Sequence, residues 1–276
     1  MPPACVPTRR FNKSTAITSC AQVRGGVSAE RRHPLSALDP RRSPFDNFDD
    51  LLRERGSSCS LPALMPKYRL AIFDSDGTLA DTLPWMRSVF NDLAREYGFK
   101  EVDMRDHERY RDLHGKALLR ELELPLWKLP RVVSGMRRRM AEHAGDFRLF
   151  DGMSDVLHRL ESAGIQLAVV SSNSRVNVER VLGPQNAKLI AHFACGVSMF
   201  GKAARLREVI RARALPPQQA IYIGDEIRDG EAARKARVAF GAVAWGQHTE
   251  KALRAQNPEH FFASVPEIAA SLCSGR

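Results

Sequence analysis

A four-residue apolar run, Leu70-Ala71-Ile72-Phe73, leads directly into Asp74-Ser75-Asp76-Gly77-Thr78-Leu79, and this junction constrains the chain more than any other feature. Four apolar residues closed by a turn signal read as a short buried strand. In extended backbone, side chains two positions apart project to the same side, so Asp74 and Asp76 can face one reacting phosphorus atom. Gly77 permits a sharp exit from the strand, and the exposed backbone N–H groups after it can cradle phosphate oxygens. Paired carboxylates at the carboxyl end of a strand, followed by Gly-Thr, suit metal-assisted phosphoryl transfer. Taken alone, the same string is equally an Asx-turn that closes a strand. The decision rests on what lies downstream.

Three further segments follow in order. A strand over Gln166 to Val170 leads to Ser171-Ser172-Asn173-Ser174, Phe200-Gly201-Lys202 opens a helix, and a strand over Ala220 to Ile223 leads to Gly224-Asp225-Glu226-Ile227-Arg228-Asp229. A lysine at a helix N-terminus works against the helix dipole, which points to a reason other than folding. Three acids clustered at one strand end, near two more from the first strand, repel each other unless a cation neutralises them. Mg²⁺, a hard ion that takes oxygen ligands, fits that need. Together the four segments resemble the haloacid dehalogenase (HAD) superfamily of phosphotransferases, and within it the phosphoglycolate phosphatase-like branch. The resemblance covers about residues 67 to 276.

The resemblance implies a role for each matching residue. Asp74 is the nucleophile that forms an aspartyl-phosphate. Asp76 protonates the departing oxygen and later deprotonates the attacking water. Dehalogenases of the superfamily lack that second aspartate, since a halide leaves without a proton. Ser75 points away and contributes only its backbone N–H. Ser171 binds a transferring phosphate oxygen, helped by the backbone of Ser172 and Asn173. By itself Ser-Ser-Asn-Ser is a helix-entry turn with Ser174 as N-cap, and the choice of Ser171 over Ser172 is open by one residue. Lys202 neutralises the phosphate and Asp74. The implied Mg²⁺ ligands are the Asp74 carboxylate, the Asp76 backbone carbonyl and the Asp225 carboxylate, with Glu226 and Asp229 behind them and Asp229 in reach of Lys202. The expected function is a Mg²⁺-dependent phosphatase acting on a small phosphomonoester, phosphoglycolate-like or a sugar phosphate. A phosphomutase of the same superfamily and a non-catalytic binding protein on its scaffold are the alternatives.

The expected fold is α/β: a Rossmann-like three-layer parallel sheet core, residues 67–80 with 150–276, and an inserted helical cap, residues 81–149. Leu83, Met86, Val89, Phe90 and Leu93 repeat at three and four residues, as one half-buried helix should. Further helices are expected over about 114–122 and 131–143, with Pro125 and Pro130 breaking the chain between them. Beyond the cap, helices are expected from Asp151 to about Gly164, Arg175 to Leu182, Lys202 to Ala212 and Arg228 to Ala236, and a last strand over Ala239 to Ala244. Lys202 comes 31 positions after Ser171, which leaves no room for a second large cap. The cap is expected to set substrate choice. Arg109, Arg111, His114 and Lys116 are cations that could meet a second anionic group, although most charges on such helices face solvent. Trp85 stands either at the entrance or in the packing. Trp245-Gly246-Gln247 occupies a place where many relatives carry Gly-Tyr, so a substrate role there is in doubt.

The remaining sequence mostly excludes. The chain of 276 residues is 43% apolar with net charge +10, of which +4 falls in residues 1–64. Basic residues interleave with acids, and no basic run carries aromatics, so nucleic acid is not an expected partner. The positive excess suits a small phosphorylated metabolite through steering. No window approaches the ~18 apolar residues of a membrane span. Five cysteines without CxxC spacing read as a reduced, cytoplasmic pattern. Residues 1–66, rich in Pro, Gly, Ser and Arg, are expected to be a disordered or wrongly assigned extension, apart from a short helix around Phe48 to Arg55. A transit peptide competes with a true start at Met65. The second is preferred, which makes residues 1–64 dispensable.

Overall fold

Six strands pair in parallel, and their order brings the sequence-distant motifs together. In the computed structural model, which describes residues 66–274 apart from 114, 144, 199 and 200, β1 is Leu70–Phe73, β2 Gln166–Val170, β3 Ile190–Ala194, β4 Ala220–Gly224, β5 Ala239–Val243 and β6 His260–Phe262. Their spatial order is β3-β2-β1-β4-β5-β6. The N-terminal extension, its expected short helix and His114 lie outside the described residues. Strand direction of growth reverses at β1, so the carboxyl ends of β1 and β4, paired at Phe73 and Ile223, flank the crevice where sheets of this kind hold ligands. The Asp74 N–H donates to the Ile223 carbonyl at 2.9 Å, which carries the pairing one residue further, onto the first aspartate.

Among the described residues, five α-helices follow β1 as one block: α1 Leu83–Ser88, α2 Phe90–Tyr97, α3 His107–Arg111, α4 Gly115–Glu121 and α5 Leu129–Glu142. They bury a cluster of their own, including Leu93, Phe99, Leu119, Leu122 and Leu124. The single helix expected over Leu83 to Leu93 is two helices. Ser88 Oγ donates at 2.7 Å to the Trp85 carbonyl that the Val89 N–H also uses, and this side-chain competition marks the break. Pro130 does not break the chain ahead of α5. It sits in the first turn of α5, where a missing N–H costs nothing.

The core adds α6 Met153–Ser162, α7 Arg175–Leu189, α8 Lys202–Ala212, α9 Ile227–Ala236, α10 Glu250–Arg254 and α11 Val265–Leu272. Gly183 interrupts α7 (φ 72°, ψ 164°), so its regular part ends at Leu182 as the sequence suggests. Alternation along the strands divides the core into two faces. Ala71, Phe73, Leu167, Val169, Ile221 and Ile223 meet Met153, Leu157 and Leu160 of α6 and Ile268 of α11. Leu70, Ile72, Ala168, Val170, Ala220 and Tyr222 meet Leu206, Val209 and Ile210 of α8 and Ala232 and Ala233 of α9. Helices on both faces explain why the strands read as continuous apolar runs. Strands β3 and β6 and helices α10 and α11 were not anticipated. Among the described residues no helix is long and apolar enough to cross a membrane, and Cys195 and Cys273 are free thiols.

Candidate active site

The turn after β1 is built by the Ser75 carbonyl, which accepts from the N–H groups of Leu79 at 2.9 Å and Ala80 at 3.0 Å. Ser75 thus contributes its carbonyl, a role wider than the backbone N–H expected of it. Gly77 has φ +78°, and a Cβ there would lie 2.4 Å from Asp225 Oδ2. Only glycine both adopts that angle and lets the turn approach the β4 acid so closely. Asp76, placed by this turn, accepts from Thr82 Oγ1 at 3.1 Å and from Asn173 Nδ2 at 3.2 and 3.3 Å. Burial and the neighbouring Asp74 charge push its carboxyl up to about 6, against the pull of those two donors.

Asp74 has a different partner. Lys202, the first residue of α8, places Nζ 2.6 Å from Asp74 Oδ2 and 2.6 Å from Asp229 Oδ1. Its side chain is 3% exposed, which answers the question of why a cation begins a helix. Burial lifts the Asp74 carboxyl above the ordinary range, and Lys202 pulls the other way. Asp229 also accepts from Tyr222 Oη at 3.1 Å and the Glu226 N–H at 3.1 Å. Asp225 accepts from Thr78 Oγ1 at 2.7 Å and the Gln247 N–H at 2.8 Å. Burial, then Asp74 and Asp229, push its carboxyl up to about 7.

Asp74, Asp225 and Asp229 offer carboxylate oxygens within 4.8 Å of one another, all buried. Three buried acids against one ammonium are a costly arrangement unless further positive charge joins them. Oxygen donors alone, clustered this tightly, fit a hard divalent cation. The oxygens of Asp229 are already taken by Lys202, Tyr222 and the Glu226 amide, which makes it a brace for the cluster.

Ser171 is fully buried at the end of β2. Its Oγ accepts from the Asn173 N–H at 3.0 Å, so the hydroxyl is part of the turn that aims Asn173 at Asp76. Ser172 is half-buried beside it. Ser174 caps α7 by accepting from the Asn177 N–H at 3.2 Å. The Glu226 carboxylate pairs with Arg228, and its backbone N–H braces Asp229.

Among the described residues, the cations expected to meet a second anionic group have these surroundings. Arg109 pairs with Glu121 at 3.1 Å, and Lys116 is exposed. Arg111 instead donates to three backbone carbonyls of the loop after β5: Gln247 at 2.8 Å, Gly246 at 3.1 Å and His248 at 3.4 Å. Trp85 packs against Phe147, ring centroids 5.2 Å apart, and Trp245 Nε1 donates to the Thr78 carbonyl at 3.2 Å. Both tryptophans brace structure. Thr82 and Tyr222 were not singled out from sequence, and Thr78 and Gln247 were named there only within their segments, without these roles. Thr78 sits inside the first motif and Tyr222 one position from the end of the predicted strand before the last motif, so proximity was a usable signal; Thr82 carried none.

The sequence model of the haloacid dehalogenase-like hydrolase family matches residues 71–243. A phosphoglycolate phosphatase of Synechococcus elongatus is 32% identical over 198 residues, which is 71% of this chain and 93% of that protein. A haloacid dehalogenase-like family hydrolase from Streptococcus pneumoniae superposes with TM-score 0.61 at 22% identity, covering 74% of this chain and 98% of that one. CbbY from Rhodobacter sphaeroides, solved in complex with phosphate, gives TM-score 0.56 at 24% identity, covering 74% and 99%. Both structural likenesses speak to the fold alone. The family match and the Synechococcus relative place the chain in the haloacid dehalogenase-like hydrolase family, as an enzyme of its phosphatase, phosphoglycolate phosphatase-like branch.

Proposed function

We propose that the chain is a Mg²⁺-dependent phosphomonoesterase that works through an aspartyl-phosphate on Asp74. The observation that carries the reading is the contrast between two adjacent carboxylates. Burial raises both carboxyls, but Asp74 is held by the Lys202 ammonium, whereas Asp76 is held by the neutral donors Thr82 and Asn173. Environments that separate two acids in this way assign one to nucleophilic work and the other to proton transfer.

In the proposed reaction an Asp74 oxygen forms a bond to phosphorus as the ester P–O bond breaks. Asp76 gives its proton to the departing oxygen. It then takes a proton from the water that attacks the aspartyl-phosphate, which frees inorganic phosphate and restores Asp74. Lys202 holds Asp74 in place and offsets phosphate charge, and the Ser171–Asn173 turn keeps Asp76 aimed at the reacting centre. Asp74 and Asp225, with the Asp76 carbonyl, are the residues proposed to hold Mg²⁺, which supplies positive charge to the phosphate oxygens when bound. Glu226 is left to pair with Arg228. Residues 81–149 act as a cap over a core of 67–80 and 150–276, and the free thiols suit a cytoplasmic setting. Phosphoglycolate, named for the Synechococcus relative, and sugar phosphates are the first substrates to assay. The test is p-nitrophenyl phosphate with Mg²⁺: the parent protein should release phosphate and Asp74→Asn should not. Phosphate release retained in Asp74→Asn would remove the covalent mechanism.

A further inference from the structure

A cavity of about 400 Å³ lies between the helical block and the core, and it adjoins the candidate active site, with Lys202 in its lining. Four of its lining residues make that connection. Lys202 bonds Asp74, and the Gln247 N–H holds Asp225. Leu83 packs beside Gly77 in the turn that follows Asp76, and Met86 Sδ lies 3.8 Å from Thr82 Oγ1, the hydroxyl that holds Asp76. The volume falls in the range of sites that enclose a drug-sized ligand.

On the block's side the wall is mostly apolar, with Phe90, Val102, Leu113, Leu118, Leu122 and Met136 alongside Tyr110 and Gly115. Among the described residues, Arg87 is the only cation the block contributes to it. Among the described residues, the block cations singled out from sequence lie elsewhere. Arg109 sits on Glu121, Arg111 is spent on the 246–248 carbonyls, and Lys116 lines a separate cleft with Pro125 and Leu126. Across the cavity the core contributes Lys202, Arg228 and Lys235 together with the acids Glu226 and Glu231, and Arg228 is paired with Glu226. A short anionic leaving group, such as a two-carbon acid, could meet the lining cations but would leave this apolar wall uncovered. An apolar leaving group gains where the acid loses, since each methylene buried there favours binding about fourfold.

We propose that the leaving alcohol of this enzyme's preferred phosphomonoester carries an apolar body, aromatic or aliphatic, which the Phe90–Leu118–Met136 wall receives. The proposal rests on the phosphatase reading and extends it to substrate class. Phosphorus stays on Asp74 and the apolar alcohol leaves with the Asp76 proton.

The test uses the full chain with Mg²⁺ and compares ethyl phosphate with hexyl phosphate. Their leaving groups are equally reactive, so the ratio of kcat/KM isolates the wall. Hexyl phosphate is expected to exceed both ethyl phosphate and phosphoglycolate by more than tenfold, and Met136→Glu is expected to reduce the hexyl-to-ethyl ratio at least tenfold. A flat response to chain length, or phosphoglycolate preferred over hexyl phosphate, overturns the proposal. If no ester and no acetyl phosphate is hydrolysed, the phosphatase reading fails separately. Calorimetry with hexylphosphonate then decides the cavity: binding that Met136→Glu weakens at least tenfold sustains the apolar site, and absence of binding overturns it.

Discussion

The carboxyl end of the sheet and the helical block are both rich in charge, and they use it in opposite ways. At the sheet, Lys202, Asp74 and Asp229 are 3%, 5% and 0% exposed at the side chain and bond one another across 128 and 27 residues. In the block, Arg105 is 89% exposed and pairs with Asp103 two residues away, and Arg109 is 67% exposed. Exposed pairs contribute little to stability because water competes for both partners. Buried ones cost desolvation that the pairing does not reliably recover, so a fold retains them where chemistry needs them. The contrast teaches that burial, and not the density of charge, separates the candidate site from the surface. Arg111 lies between these cases: at 21% exposed, it belongs to the block and bonds the core loop beside Asp225.

Substitutions can break that comparison, and the largest effects are expected at the sheet. Asp74→Asn should lower phosphate release by about 10⁴-fold or more, measured with p-nitrophenyl phosphate. Lys202→Met leaves Asp74 and Asp229 buried without their cation and should destabilise by about 3–5 kcal/mol in urea melts; a stable, active Lys202→Met protein would dissolve the distinction drawn here. Asp76→Asn should cost about 10²–10⁴-fold, more for alkyl than for p-nitrophenyl esters, because poor leaving groups depend most on the proton. Equal losses for both esters would argue against Asp76 as the acid. Gly246→Ala sets a Cβ 2.1 Å from the Cβ of Asp225, and should cost about 1–3 kcal/mol and raise the Mg²⁺ concentration needed for half-maximal rate. Arg111→Gln should raise that metal requirement more mildly, since it loosens the loop whose Gln247 amide holds Asp225, with a stability loss of about 1 kcal/mol. An unchanged metal titration in both variants would remove the loop from the account of the metal. Arg105→Ala, at the far end of the series, should melt and turn over like the parent.

What could be read in advance follows the same division. Strands β1, β2 and β4 and the start of α8 were legible because a buried strand and its turn are encoded within ten residues of sequence. The site motifs lie at those strand ends, so Asp74, Asp76, Lys202, Asp225 and Asp229 were legible with them. β3 and β6 were not. Ile190–Ala194 carries a histidine and follows a helix without a turn signal, and His260–Phe262 is three residues long. The roles of Thr82 and Tyr222 depend on partners brought in by tertiary packing. Arg111 illustrates the limit most clearly, because its receptors are backbone carbonyls some 136 positions away, and a carbonyl leaves no mark in a sequence. The cavity wall was hidden for a related reason: Leu118 and Met136 look like ordinary packing positions until the helices that carry them are seen facing α8 and α9.

The placement of β1 between β2 and β4 has a consequence for how the enzyme comes into being. Thr78 meets Asp225 across 147 residues and Lys202 meets Asp74 across 128. Contacts that close loops of this length form late and slowly during folding, since chain entropy is lost before they return anything. A nascent chain that has not yet reached Asp225 holds half a constellation, and a collapsed intermediate with its helices formed but β1 unseated holds none. Recovery of turnover after dilution from denaturant therefore times the seating of the central strand, and helix-sensitive signals should run ahead of it.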